Sequence, residues 1–286
     1  MKYLSILLLI LPLSLFAYSD ADMDGVEDAL DRCPNTPLMD LVDINGCSKK
    51  TIIKASSNSK KVSPHHFDIV VGASYSQTSY DINPTTETIN TSLQVDYYYK
   101  NFSLSLSGSH YNTSSGDYSD SGLNDSFAGM GYNFRPTKNL SLRLGAGVSI
   151  PTYDSYYDNN NYDYVGSASL SYKLGSVNIF GGYTYTMIND DDYSYTDDNN
   201  QTQTVTYQDT TSYNVGLGFY PTSKLYLSAS YMSADSVYEG VDASKTASIY
   251  AYYGFNAHWF SSLSYAYGLN DVATDHYASL KLGYYF

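Results

Sequence analysis

The last eleven residues of the chain alternate strictly between two kinds of side chain. One face carries His276, Ala278, Leu280, Leu282, Tyr284 and Phe286, and the other carries Tyr277, Ser279, Lys281, Gly283 and Tyr285. Successive side chains of a β-strand point to opposite faces, so this pattern predicts a strand with one apolar and one more polar surface. At about 3.3 Å per residue, such a strand is long enough to cross a bilayer at the usual tilt.

The same alternation recurs from Phe67 onward and predicts about twelve strands, an even number, as single-chain bacterial barrels have. The predicted strands are 67–75, 91–99, 102–107, 128–134, 140–150, 162–173, 177–187, 212–220, 225–234, 247–256, 260–268 and 276–286. A soluble β-sandwich is the competing fold, but it explains neither strands of this length nor the alternation of their connections.

The connections between the predicted strands alternate in length. Short ones at 100–101, 136–139, 174–176, 221–224 and 257–259 separate mostly longer ones at 81–88, 112–124, 151–161, 188–209, 235–242 and 269–273. In outer-membrane barrels the short turns face the periplasm and the long loops face outside. Both ends of the barrel segment are therefore expected in the periplasm.

The chain ends on an aromatic residue. Phe286, preceded by Tyr284 and other apolar residues at every second position, resembles the closing strand of bacterial outer-membrane, porin-like β-barrels. The resemblance implies that Tyr284 and Phe286 form a signal read by the barrel-assembly machinery. The expected fold is all-β, a transmembrane antiparallel barrel of about twelve strands over residues 66–286, preceded by a small periplasmic segment.

The first seventeen residues predict export. Lys2 precedes an apolar run that ends near Ala17, which is typical of a cleaved signal peptide over residues 1–17. No later run of about 18 apolar residues follows, which excludes a helical membrane protein. A mean hydropathy of -0.32 is compatible with a barrel, because its lumen and loops dilute the lipid-facing half. We therefore expect the protein to lie in the outer membrane of a Gram-negative bacterium.

Residues 20–31 have the spacing of a calcium loop. The predicted ligands, at loop positions 1, 3, 5, 7, 9 and 12, are Asp20, Asp22, Asp24, the Val26 carbonyl, Asp28 and Asp31. Gly25 at position 6 permits the sharp turn that lets one loop supply six oxygens. Asp31 is shorter than the Glu of an EF-hand, and an acidic solvated linker is the alternative interpretation.

A cysteine-containing stretch follows the acidic loop. Cys33-Pro34-Asn35-Thr36-Pro37 and the later 42–47 stretch ending in Cys47, together with the acidic loop, resemble a thrombospondin type-3 repeat over residues 18–47. The resemblance implies bound Ca²⁺ and a Cys33–Cys47 disulfide, and an exported protein favours such pairing. Residues 48–65, rich in Ser and Lys, are typical of a flexible linker.

The charge of the chain bears on its partners. It has 29 acidic and 15 basic residues, so nucleic acid is an improbable partner. Most acidic residues fall in the long connections, whereas Lys100, Lys138 and Lys224 lie in short ones. An acidic mouth would concentrate cations. Alternatively, the loops only solvate the rim, or they bind divalent ions that bridge to lipopolysaccharide phosphates.

The inward positions are mainly Ser, Gly, Thr and Asn. The few charged ones, predicted to line the pore, are Asp68, Asp96, Arg143, Lys173 and Lys281. A twelve-stranded barrel lined by small side chains is not filled by them, which predicts a water channel unless the 188–209 loop folds in.

The predicted function is a porin-like diffusion channel for small hydrophilic solutes or cations, with modest cation preference. The alternative is a structural or adhesive barrel that uses acidic, Tyr-rich loops. A barrel hydrolase is disfavoured, because no recognisable motif surrounds His110 or the other histidines.

The N-terminal segment should bind calcium, because its grouped carboxylates repel one another when no cation is bound. We expect calorimetry on the isolated 18–47 segment to detect Ca²⁺ binding, and the Asp22→Ala, Asp24→Ala double variant to abolish it. Binding that is unchanged in this variant would refute the assigned ligands.

Overall fold

The computed structural model of the protein describes residues 65–80, 83–154, 159–196 and 200–286. Within these ranges the chain forms fifteen β-strands. The strands are β1 (His65–Tyr80), β2 (Asn83–Tyr99), β3 (Phe102–Ser115), β4 (Tyr118–Leu123), β5 (Ser126–Thr137), β6 (Leu140–Ile150), β7 (Asp163–Leu174), β8 (Val177–Met187), β9 (Tyr193–Thr196), β10 (Thr202–Val205), β11 (Thr210–Phe219), β12 (Leu225–Ala234), β13 (Ser244–Gly254), β14 (Trp259–Gly268) and β15 (His276–Tyr285). None of the described residues belongs to a helix that is long and apolar enough to cross a membrane.

The strands close into a barrel. Thirteen of them form one antiparallel sheet, in which β4 only extends the pairing of β3, so that twelve strands make the closed wall. Strand β15 pairs with β14 on one side and with β1 on the other, from Asp68–Tyr285 to Gln77–His276. The Phe286 amide also donates to the Phe67 carbonyl at 2.9 Å. The predicted twelve-stranded barrel is confirmed, and the C-terminal strand is the one that closes it.

The outer surface has the pattern of a transmembrane barrel. Outward aliphatic side chains such as Leu93, Leu144 and Leu280 are about half exposed and form a middle band. Exposed aromatic rings flank this band at both ends. One girdle includes Phe67, Tyr132, Phe134, Tyr172, Phe219, Tyr253 and Trp259, and the other includes Tyr162, Tyr164, Tyr183, Tyr213, Tyr265 and Tyr267. Such girdles sit at the two interfaces between lipid and water.

The two ends of the barrel differ in their connections. At one end, here called the turn end, residues 100–101, 138–139, 175–176, 220–224 and 255–258 join the strands. Two-residue hairpins need positive φ, and Lys100 (54°) and Gly175 (63°) supply it. The opposite end, here called the loop end, carries the connections 151–162, 188–209, 235–243 and 269–275.

Two of the loops expected from the sequence are instead strands. The chain from Asn83 to Thr88 belongs to β2 and pairs with β1, and the 112–124 stretch contains the end of β3 and all of β4. A transmembrane strand needs only about 9–11 residues, so strands of 16 and 17 residues project beyond the lipid. The projecting ends of β1 and β2 are rich in Thr and Ser. Thr favours strands, and both residues are compatible with an alternating pattern.

Long inward side chains lie across glycines of neighbouring strands. The Phe260 ring on β14 covers Gly283 on β15, and a Cβ atom at Gly283 would overlap that ring. The Phe260 ring also lies tilted against the Tyr285 ring, with ring centroids 4.8 Å apart. The missing side chain at Gly283 is therefore what lets the ring lie flat against the wall.

A side chain at this contact should destabilise the barrel. We expect Gly283→Val to cost about 1–3 kcal/mol, because the Phe260 ring must leave its rotamer or the wall must shift. Denaturant unfolding in lipid vesicles, followed by heat-modifiable gel mobility, measures the change. The matched control is Gly166→Val, since a Cβ at Gly166 meets nothing within 4 Å. Equal stability of the two variants would contradict the role of the contact.

Candidate functional site

The lumen is the candidate site, and the five charged residues predicted to line it all lie on inward positions. Asp68, Asp96, Arg143, Lys173 and Lys281 belong to β1, β2, β6, β7 and β15. The structure brings four of them together around Asp96. Lys173 lies apart at the turn end, where its ammonium is 5.0 Å from the centre of the Tyr220 ring.

Asp96 is the centre of this charged group. It lies directly opposite Asp68 on the adjacent strand. The charges of Arg143 and Lys281 both act on its carboxylate, and the Gln94 amide donates to its Oδ2 at 2.7 Å. Two carboxylates side by side repel each other, and the two basic side chains compensate for them. The formal charges of these four residues sum to zero.

Both basic side chains reach this group by crossing a glycine. Lys281 passes over Gly72 on β1, where a Cβ atom would stand 3.0 Å from its Cγ. Arg143 passes over Gly131 on β5 and donates from Nη2 to the Ser103 hydroxyl at 3.2 Å. A larger residue at either glycine would block the path of the cation. Distant strands are thereby connected within the lumen.

The accessible charge within this group is positive. Asp68 is 1% exposed and Asp96 is 5% exposed, whereas Arg143 and Lys281 are only partly buried. The carboxylates thus sit in the wall, and the cations stand in front of them. A solute in the lumen would meet the basic groups first.

The part of the wall that adjoins this charged group on the other side of Lys281 is partly aromatic. On β12 to β15, Tyr226, Tyr252, Phe260 and Tyr285 form a strip, here called the aromatic strip. The rings of Tyr252 and Phe260 stack at 5.4 Å, and the Tyr252 and Tyr285 hydroxyls are 3.4 Å apart. Tyr226 crosses Gly218 and accepts a hydrogen bond of 3.4 Å from the Asn178 amide on β8.

The inward side chains near the turn end are packed against one another. Those less than 10% exposed are Asp68, Val70, Asp96, Tyr98, Ser103, Asn133, Asn178, Tyr226, Tyr252, Phe260 and Ser262. They come from eight strands around the wall and form what is here called the constriction. The expectation of a lumen not filled by side chains stays a prediction, and these buried side chains mark the level at which the wall is most crowded. The signal was present in the sequence, because Tyr98, Tyr226 and Tyr252 all occupy inward positions.

The 188–209 connection is bound to the loops on either side of it. The Asn159 amide donates to the Tyr207 hydroxyl at 3.1 Å, and the Tyr207 and Tyr238 rings are 5.4 Å apart. Gln208 donates to the Ser236 carbonyl at 3.0 Å. Strands β9 and β10 form a hairpin of their own within this connection. These contacts hold the connection to its neighbours at the loop end.

Burial governs the titration of this tyrosine cluster at the loop end. It raises the pKa of Tyr207 and of Tyr238, and also that of Tyr153 on the neighbouring loop. Burial therefore favours the protonated form of all three hydroxyls, of which that of Tyr207 accepts the hydrogen bond from the Asn159 amide. By contrast, Asp209, the last residue of the 188–209 connection, accepts a hydrogen bond from the Tyr185 hydroxyl, and this bond lowers the pKa of its carboxyl group.

The histidines take structural positions. His276 bonds to the Tyr265 hydroxyl at 2.9 Å, and His258 bonds to the Tyr285 carbonyl at 3.1 Å. His110 is exposed on β3 beside Tyr111. In the ranges that the structure describes, no group of three or more His, Cys, Asp or Glu residues is arranged to hold a metal ion. The absence of catalysis stays a prediction.

The N-terminal predictions fall on residues that lie outside the described ranges. These are the calcium ligands Asp20, Asp22, Asp24, Val26, Asp28 and Asp31, the Cys33–Cys47 pair, and most of the linker. They stay predictions. Tyr284 and Phe286 lie at the turn end of the barrel, at the C-terminal end of β15, and Phe286 is 64% exposed. Their role as an assembly signal is likewise a prediction.

A closed twelve-stranded antiparallel barrel with an apolar exterior is the fold of outer-membrane β-barrels. The sequence pattern of the MetA-pathway phenol degradation family matches residues 54–286, and the chain belongs to this family.

Two solved structures show the same fold. An outer membrane channel from Pseudomonas putida F1 superposes with a TM-score of 0.63 at 12% identity, over 82% of this chain and all of the other. The NanC porin superposes with a TM-score of 0.50 at 14% identity, over 77% of this chain and 98% of the other. No curated protein matches the chain.

Proposed function

We propose that the protein is a narrow diffusion channel of the outer membrane for small solutes. The observation that carries this proposal is the closed barrel whose lumen is lined largely by polar side chains and, toward the turn end, is crowded by buried inward side chains. In this proposal the loop end faces the medium and the turn end faces the periplasm, as in other barrels with short periplasmic turns. The calcium-binding segment would then lie in the periplasm.

The aromatic strip supports aromatic compounds as part of the solute range. A flat ring can pass along a wall of Tyr and Phe with favourable offset or edge contacts. The family description, which concerns phenol degradation, agrees with this chemistry. Passage through the constriction would require side-chain rearrangement, so the conductance should be low.

Charge selection in this channel should come from the loop end. The four charges around Asp96 cancel, whereas Asp117, Asp154 and Asp242 are exposed on separate loop-end connections. Acidic groups there draw cations toward the mouth. At physiological salt their field reaches only about 8 Å, so the preference should be modest and should fade as salt rises. These exposed carboxylates could also bind divalent ions shared with lipopolysaccharide.

Reversal potentials in planar bilayers under a salt gradient test this proposal. We expect a modest cation preference, which the Asp117→Asn, Asp154→Asn, Asp242→Asn variant should lower by about twofold or less in 0.15 M salt, since the field is screened there. The Lys100→Gln, Lys138→Gln control removes charge from the turn end and should raise the preference slightly. Anion preference of the unmodified protein would refute the electrostatic argument. Complete absence of current would favour a structural or adhesive barrel whose acidic, Tyr-rich loops meet a surface partner.

A further inference from the structure

Lys281 differs from the other basic side chains of the lumen in its contacts. Its ammonium makes no hydrogen bond with any residue that the structure describes, although the charge of Asp96 acts on it. Arg143, in contrast, donates to the Ser103 hydroxyl. Within the charged group, the carboxylate that acts on Lys281 is that of Asp96. It is buried in the wall and already accepts a hydrogen bond from the Gln94 amide. Lys281 therefore has donors available to a solute.

The wall beside Lys281 is lined by small hydroxyl side chains. In the register of the sheet, Lys281 lies opposite Ser262 on β14, and Ser279 lies opposite Ser264. The next strand places Tyr252 opposite Ser262 and Tyr250 opposite Ser264. These three serines, Ser262, Ser264 and Ser279, form what is here called the serine floor. It separates the ammonium from the tyrosine rings by two strand spacings, about 10 Å between backbones.

The two borders of the serine floor have complementary chemistry. On one side is a cation with unused donors, and on the other is the partly buried ring of Tyr250, which meets the Tyr226 ring edge-on at 6.2 Å. A solute that satisfies both borders carries a carboxylate at one end and a flat apolar group at the other. Charge-assisted hydrogen bonds between ammonium and carboxylate are stronger than neutral ones, particularly away from bulk water.

We propose that Lys281, the serine floor and Tyr250 form a binding site for small aromatic carboxylates within the lumen. Lys281 holds the carboxylate, and the ring of the solute lies over the serines against Tyr250. The site lies at the loop-end border of the constriction, since Ser262 belongs to both and Lys281 precedes Gly283 and Tyr285 along β15 toward the turn end. A solute entering from the loop end would reach it before the aromatic strip closes the lumen.

This site rests on the proposal that the barrel admits solutes, but it can be tested without measuring current. The experiment is equilibrium binding to the full chain refolded in detergent micelles, followed by ligand-observed NMR. The probes are benzoate, benzylammonium and benzyl alcohol, which share a ring and differ in charge. We expect benzoate to bind more tightly than the other two, and its binding to weaken at 1 M salt, where the Debye length is about 3 Å.

Substitutions separate the site from a general charge effect. Lys281→Gln should weaken benzoate binding by about tenfold, as expected for loss of a charge-assisted hydrogen bond. Lys281→Met, which keeps the length of the stem, should do the same, so that the result does not depend on one variant folding. The matched control is Lys245→Gln, since Lys245 is exposed at the start of β13 and away from the lumen. It should leave benzoate binding unchanged.

The ring contact has its own test. Tyr250→Ala should weaken the binding of benzoate more than that of acetate, which has no ring to place there. Three results would overturn the proposal: no binding of benzoate to the folded protein, equal binding by the Lys281 and Lys245 variants, or benzylammonium binding as tightly as benzoate. Binding with these properties but without ionic current would support the site and refute the diffusion channel.

Discussion

The lumen of this barrel depends on one kind of contact, a long inward side chain that lies across a glycine of the next strand. Phe260 covers Gly283, and Tyr226 crosses Gly218 to meet Asn178 two strands away. Arg143 reaches Ser103 in the same way, over Gly131. A barrel wall otherwise links only neighbouring strands through its backbone ladder. These crossings tie strands that do not pair, and they bring rings and charges close to the wall, where they narrow the passage.

The crossings also give the lumen two unlike sides. Lys281 and Arg143 converge on Asp96 from opposite directions, so this charged group spans the arc from β15 through β1 to β6, whereas Lys173 lies apart on β7. The aromatic strip adjoins this arc, because it begins on β15 and continues through β14 and β13 to β12. The formal charges of the charged group sum to zero, but the acidic members are buried and the basic members are only partly buried, so the group offers donors to a solute. The long-range attraction of ions by exposed carboxylates and the binding of a solute by direct contact with Arg143 or Lys281 are therefore separate properties of this molecule.

Sequence alone was sufficient for the fold and for much of the site. The alternation in the C-terminal strand predicted both the barrel and its closing element, because a period of two is what a half-buried strand must have. It also predicted the inward positions of Asp68, Asp96, Arg143, Lys173 and Lys281. It did not show that four of these meet, since their convergence depends on inter-strand register and on which glycines lie between them. The register also places Tyr226, Tyr252 and Phe260 at one level of the lumen. Counting the small inward residues in the sequence did not reveal this. The extended β1–β2 hairpin was missed because polar alternation outside the lipid looks like a loop.

The central claim is that packed side chains at the turn end, and not the 188–209 connection, set the narrowest point of the lumen. Single-channel conductance of the refolded protein tests it most directly. The account predicts a higher conductance for the Tyr226→Ala, Tyr252→Ala variant, because it empties part of the constriction. It predicts no comparable change for Tyr193→Ala, Tyr207→Ala, which removes two rings from the 188–209 connection. A rise in conductance only in the second variant would contradict the account.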